Sequence, residues 1–287
     1  MIIDLDTEEL LRAAVRNNTE WCAAVSGGGT FAADAWTSAR RTPPYYPDGV
    51  TLTRGASADE LLAGMDTDSP GCSVKDSFAA LDLAPAGFEV LFGAEWIHRP
   101  GDAAVRDAPA PDAPVRDALV RDAPVRDAPV RDAPVRDAPV REAPVRDAPA
   151  PVAPAPVVPS PALACTRVTG AGGLAAWEAA WSGGESTGLF RPGLLTPEIA
   201  FLAGRAADGR IVAGAAAHRT GAVVGLSNVF TADGAPAGEA WAGALAAVAR
   251  LWPGLPVVGY ESGDDLDTAL RHGFTPLGPL RVWLHTA

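Results

Sequence analysis

Tyr260 and Glu261 stand at the end of the apolar run "LPVVGYES", a phenol and a carboxylate side by side before a helix start. A carboxylate whose pKa is raised by burial can take a proton from an amine. The same pair also suits a plain strand end with a solvated carboxylate, and both readings stand. Asp264 and Asp265 follow, where short acids ordinarily cap a helix. A second candidate is "AVVGLSNVFTADGAPAGEAWAGAL", residues 222–245. An apolar strand runs into a loop of Gly, Ala and Pro, and an Ala-rich helix begins. The unpaired amides and positive dipole end of a helix N-terminus attract anions, which points to a phosphate near Gly238, Glu239 and Ala240. Glu239 works against this by placing a negative charge where the anion should sit.

Other chemistry is poorly supported. "SGGGT" at 26–30 lacks a following Lys-Ser/Thr and reads as a helix stop. His98, His218, His272 and His285 are scattered; His218 is expected near a strand end on the acceptor side, His272 as a cation at a helix C-terminus. No G-x-S-x-G elbow occurs. Cys22, Cys72 and Cys165 are far apart and odd in number, which speaks against a disulfide framework or zinc site.

The elements that must position these residues fall into three parts. Residues 101–160 repeat "APVRD" and fade into "APAPVAPAPVVPSPA". A proline every five residues breaks helices and strand ladders, so a disordered Pro-rich linker is expected. All eight Trp lie outside it, and the chain is 48% hydrophobic, enough for a real core. The formal charge is -12, and the repeat holds eight Arg against ten acids, so the folded surface is acidic. This argues against nucleic acid and anionic membrane as partners. The start "MIIDLDTEELLRAAV" lacks a basic leader region and no apolar run spans a membrane, so a cytoplasmic protein is expected.

Residues 1–100 read as an α/β half-domain. Helices are expected at "TEELLRAAVRNNTEWCAAVSGG", at "SADELLAGM" and at "SVKDSFAALDL", with strands at Val50–Thr53 and "GFEVLFGAEWIHR". Residues 161–287 read as strand, helix, three strands, helix, strand, helix, strand. The three strands turn at Asp208-Gly209 and Thr220-Gly221, both hairpin signals. Trp177 and Trp181, four apart, share a helix face. The fold class is therefore α/β with a mixed sheet.

That order, with "VVGLSNVF", "TADGAPAGEAWAGAL" and the Gly-Phe of "LDTALRHGFTPLGPL", resembles the GNAT superfamily of N-acetyltransferases. The resemblance covers about Ala162 to His285. It implies acetyl-CoA as acyl donor, a small-molecule or amine acceptor, backbone pairing of Asn228, Val229 and Phe230 with the cofactor arm, and amides near Gly238, Glu239 and Ala240 facing the diphosphate. The family's basic or amide loop residue falls on Ala237 and its loop glycine on Ala240. The tyrosine that many members use to protonate the leaving thiolate falls on Ala269, leaving Tyr260 and Glu261 as nearby alternatives. The stretch from "GVTLTRGASADELL" to "AGFEVLFGAEWI" also resembles "PVVGYESGDDLDTALRHGFTPLGPLRVWL", Gly87-Phe88 matching Gly273-Phe274, which implies a degenerate second half. Three functions remain open: an acetyltransferase, a catalytically silent binding module of the same fold, and a scaffold whose repeat recruits a partner.

Overall fold

The computed structural model describes residues 6–101, 163–232 and 234–286. The repeat expected as a linker lies outside them, apart from Gly101. The chain opens with α1 (Thr7–Ser26), started by a reciprocal capping box between Asp6 and Glu9 and stopped at Gly27, whose φ is 83°. The short strands β1 (Thr30–Phe31), β2 (Ala35–Thr37) and β3 (Gly49–Thr51) follow. Next come α2 (Ala58–Ala63), capped by the Ser57 side chain, β4 (Ser73–Asp76) and the long β5 (Phe88–Arg99).

After the repeat come β6 (Cys165–Arg167), α3 (Ala171–Ser182), β7 (Ile199–Arg205), β8 (Ile211–Thr220) and β9 (Val223–Thr231). Then α4 (Ala237–Leu251), β10 (Val257–Glu261), α5 (Gly263–Arg271) and β11 (Thr275–His285) complete the chain. The glycine turns close both hairpins as expected, with φ of 88° at Gly209 and 55° at Gly221.

Among the described residues the strands form one sheet in the order β1-β2-β3-β4-β11-β5-β10-β9-β8-β7-β6. The centre holds an exchange. β5, from before the repeat, lies antiparallel between β10 and β11; β11, from the end of the chain, lies antiparallel between β4 and β5. Either side repeats one plan: an antiparallel pair, then two parallel strands joined through a helix (β3-α2-β4 and β9-α4-β10). Gly87 and Gly273, with φ of 84° and 86°, turn the chain into the two exchanged strands, and Phe88 and Phe274 after them are both buried. The Gly-Phe match therefore holds in space. The match of "GVT" to "PVV" does not, since the topological counterpart of β3 is β9 and not β10.

One expected helix is wrong. "SVKDSFAALDL" forms β4, then turns with Ala79 at a φ of 51° and a short 3-10 turn at Ala84–Ala86. Val74, Phe78 and Leu81 imitate helical spacing, but they pack into two different clusters. β4 is flanked on both edges and buried from Val74 to Asp76, so it takes the ladder bonds of a central strand.

Helices cover both faces of the sheet. On one, Leu11, Ala14 and Val15 of α1 meet Trp96, Val258 and Leu280. On the other, Trp241, Ala244 and Val248 of α4 pack with Leu202, Ala217, Val224 and Phe274. Trp177 and Trp181 of α3 do share a face, stacked 6.4 Å apart, and join Trp21 and Phe201 in a third cluster.

Candidate functional site

The site lies where two parallel strands part. β9 and β10 pair only at Val224 with Val257 and at Gly225 with Val258. A Cβ at Gly259 would stand 2.8 Å from the Leu226 carbonyl oxygen, so glycine permits the last close approach before they separate. β9 then bulges against β8. Phe230 is opposite Gly214 and Ser227 opposite Ala216, which leaves Asn228 and Val229 facing Ala215 alone. Asn228 takes a φ of 51°, a left-handed geometry that few residues other than Gly, Asn and Asp adopt.

Between the parted strands is a cavity of about 170 Å³ lined by residues from both halves of the chain. β9 gives Ser227, Asn228 and Val229; β10 gives Tyr260 and Glu261. α1 gives Asn18 and Cys22, β4 gives Lys75, and the loop before β3 gives Tyr45 and Tyr46. The Lys75 ammonium donates to Asn18 Oδ1 at 2.7 Å and to the Tyr260 hydroxyl at 3.2 Å, and lies 4.2 Å from the Tyr260 ring centroid. Burial works against the Lys75 charge; Tyr260 and Cys22 beside it act the other way, and its pKa stays raised. Tyr260 is fixed from behind by Trp96, edge-on at 5.5 Å.

Burial, with Asp265 of α5 adding repulsion, raises the Glu261 pKa to about 8. The Tyr46 hydroxyl is buried beside Asn228 and Trp21 without hydrogen-bond geometry to either. The loop that carries it is pinned. Buried Asp48 accepts from the Thr42 and Ser73 amides and pairs with Arg41, which also donates to the carbonyls of Asp66 and Ser69. Tyr45, at the loop tip, has a φ of 73°.

Of the residues expected from sequence, Asn228, Val229, Tyr260 and Glu261 line this cavity. The Phe230 side chain instead packs edge-on against Trp177 at 5.3 Å. Gly238, Glu239 and Ala240 form the first turn of α4, whose N-cap is Pro236 without a side-chain bond, and none of the three lines the cavity. Glu239 is half-buried there and Ala240 is buried. Asp264 and Asp265 lie within the first turn of α5 and do not cap it; Ser262 is the N-cap. His218 lies outside the cavity, at a smaller pocket beside Trp21. Burial, then Arg271 and Arg99, lower the His272 pKa, so it is not the expected cation. No group of three or more His, Cys, Asp or Glu among the described residues could hold a metal. The three cysteines are free and buried.

Lys75, Asn18 and Tyr46 were not legible as site residues. One sign existed: Lys75 is the only lysine in the chain, arginine serving everywhere else.

The chain is similar to a GCN5-related N-acetyltransferase from Kribbella flavida, with a TM-score of 0.54 at 13% identity, covering 96% of each chain. The fold is that of the GNAT superfamily. A second structure, a functionally unknown conserved protein from Staphylococcus epidermidis, gives 0.51 at 11% identity, covering 89% of this chain and 92% of that one. No protein-family model and no curated protein matches the chain. At such identities the GNAT likeness speaks for backbone architecture and not for chemistry. No helix among the described residues is long and apolar enough to cross a membrane.

Proposed function

We propose that the chain is an N-acetyltransferase moving an acetyl group from acetyl-CoA to an amine. The observation that carries this reading is the convergence of Lys75, Tyr260, Glu261 and the bulged Asn228 on one cavity between β9 and β10. Acetyl-CoA is a substrate of this reaction. Its pantetheine arm would enter between the parted strands, against the backbone of Asn228, Val229 and Phe230. The amine nitrogen attacks the thioester carbonyl carbon, and a bulge amide holds the developing oxyanion. The Glu261 carboxylate takes the proton from nitrogen. The C–S bond breaks, and Tyr260 gives its proton to the departing sulfur. The Lys75 ammonium, already donating to that phenolic oxygen, stabilises the phenolate left behind.

The diphosphate end fits less well. Ala237 offers no charge and Glu239 offers the wrong one at the start of α4. That observation favours a second reading, a catalytically silent binding module of the same fold. A melting experiment with acetyl-CoA, followed by thiol-release assays over a panel of amines, separates the two. A ligand that binds only the folded chain raises its melting temperature. A shift with acetyl-CoA, and free thiol appearing in step with an acetylated amine, support the transferase. No shift at millimolar acetyl-CoA supports the silent module.

A further inference from the structure

A larger cavity, of about 600 Å³, opens beside the first and shares Tyr45, Tyr46, Lys75 and Tyr260 with it. Its volume falls in the range of small-molecule sites. Its walls are Pro43, Pro44 and Pro47 of the pinned loop on one side and Leu91, Phe92 and Val282 of the exchanged strands on the other. Leu91 and Phe92 are 55% and 38% exposed, large apolar side chains left uncovered on a strand otherwise built into the sheet. Leu91 is the extra residue at the step of register between β5 and β11, where Val90 faces Trp283 and Phe92 faces Val282. The cavity thus leads from solvent to the Lys75–Tyr260 pair.

Its charge is one-sided. The ionisable groups on its walls are Arg41, Lys75 and two tyrosines of the pinned loop with Tyr260; no carboxylate lines it among the described residues. A cationic amine would travel an apolar passage toward a buried ammonium, with nothing anionic to offset its lost hydration. The carboxylate beyond, Glu261, still holds its proton near neutral pH. An aromatic amine escapes both costs. Its nitrogen lone pair is delocalised into the ring, so it arrives uncharged, and its ring suits an apolar passage edged by Tyr45, Tyr46 and Phe92.

The geometry points to this cavity as the acceptor entrance of the proposed transferase, and to a weakly basic aromatic amine, neutral at its nitrogen, as the substrate class. The inference rests on the transferase reading for turnover but not for binding. Two isomers test it: 4-ethylaniline, uncharged at neutral pH, and 2-phenylethylamine, an ammonium. Binding of each to the full chain is measured by calorimetric titration without acetyl-CoA, and acetylation is measured with it.

The expected result is binding of 4-ethylaniline at least ten-fold tighter than its isomer, weakened at least ten-fold by Phe92→Asp. The exposed position of Phe92 keeps that variant folded, which its melting curve checks; Leu91→Asp is the alternative. If 4-ethylaniline binds this way and no amine is acetylated, the transferase reading fails while the cavity stands as a binding site for neutral aromatic amines. If 2-phenylethylamine binds or reacts as well as 4-ethylaniline, or if neither binds, or if Phe92→Asp and Leu91→Asp both leave binding unchanged, the inference is overturned.

Discussion

Lys75 and Tyr260 are 185 positions apart in the chain and 3.2 Å apart in space, nitrogen to phenolic oxygen. They lie on β4 and β10, which never pair; the exchanged strands β11 and β5 run between them. The contact therefore depends on the strand exchange, and the repeat separates its partners in sequence.

This contact gives opposite effects on stability and turnover. Lys75→Met removes a buried ammonium and leaves an apolar side chain of similar length. Taking a lone charge out of the interior recovers a desolvation cost of several kcal/mol, which outweighs the cost of about 1–3 kcal/mol for leaving the buried Asn18 oxygen without its donor. The melting temperature is expected to hold or rise, while acetyl transfer falls. Tyr260→Phe is expected to lower kcat by roughly 100-fold, the scale of a lost general acid. Unfolding curves and steady-state rates on the same preparations check both; a Lys75→Met variant that is less stable but fully active would remove Lys75 from the site.

Glu261 makes stability depend on pH. Its folded pKa of about 8 lies above the ordinary 4.5. The folded state thus binds more protons than the unfolded one between those values. The contribution is fully present below about pH 4.5 and is lost as pH rises through about 8. Glu261→Gln should leave acid stability unchanged and exceed the wild type near pH 9 by at least about 1.4 kcal/mol, one pKa unit's worth. Asp265 acts on the group, and Lys75 and Tyr260 line the same cavity, so the measured quantity is the difference between variant and wild type at each pH. Parallel curves from pH 4 to pH 9 would show that Glu261 is not raised. In the transferase reading, the wild-type rate should climb through the same window as the carboxylate ionises.

Much of this arrangement was legible in sequence where pattern and packing agree. α1 and α4 carry broad apolar faces, the Asp208-Gly209 and Thr220-Gly221 turns give β7, β8 and β9, and Tyr260 and Glu261 end a buried strand. Legibility fails where partners are distant. β5 and β11 are both long strands entered by Gly-Phe, and nothing local tells which of them pairs with β4 and which with β10. The helical spacing of Val74, Phe78 and Leu81 hid β4, and with it Lys75. The Asn228 bulge left no mark beyond an Asn in an apolar run.

The exchange predicts interdependence of the two flanks of the repeat. β5 has its neighbours in β10 and β11, both from after the repeat, and Trp96 on it is fully buried. Residues 1–100 and 163–287 expressed apart should each lack a sharp melt and should regain one on mixing. Trp96→Ala in the full chain should cost about 3–5 kcal/mol, the range for a buried aromatic. Two independent sharp melts that mixing leaves unchanged would contradict the shared sheet.

In the transferase reading, the start of α4 is where the diphosphate of acetyl-CoA would be held. No side chain caps its first turn, since Pro236 is the N-cap; the Glu239 and Ala240 amides turn back to the Pro236 carbonyl, so an anion would meet the amides of Ala237 and Gly238. Ala237 is exposed there and Glu239 half-buried, and neither offers a positive charge. A carboxylate in the first turn favours the helix itself through the dipole, but it competes with a diphosphate for the same end. Changing Ala237→Arg and Glu239→Gln together trades one negative charge for one positive charge at an exposed helix start. Acetyl-CoA should then bind tighter by roughly 1 kcal/mol or more, the scale of a charge-assisted hydrogen bond, with the gain shrinking as salt rises. Titration calorimetry at low and moderate salt measures it. A wild type that binds at micromolar affinity, with a double variant no tighter, would place the diphosphate elsewhere; a double variant that binds where the wild type does not would mean the fold retains a cofactor site that its own loop charge has closed.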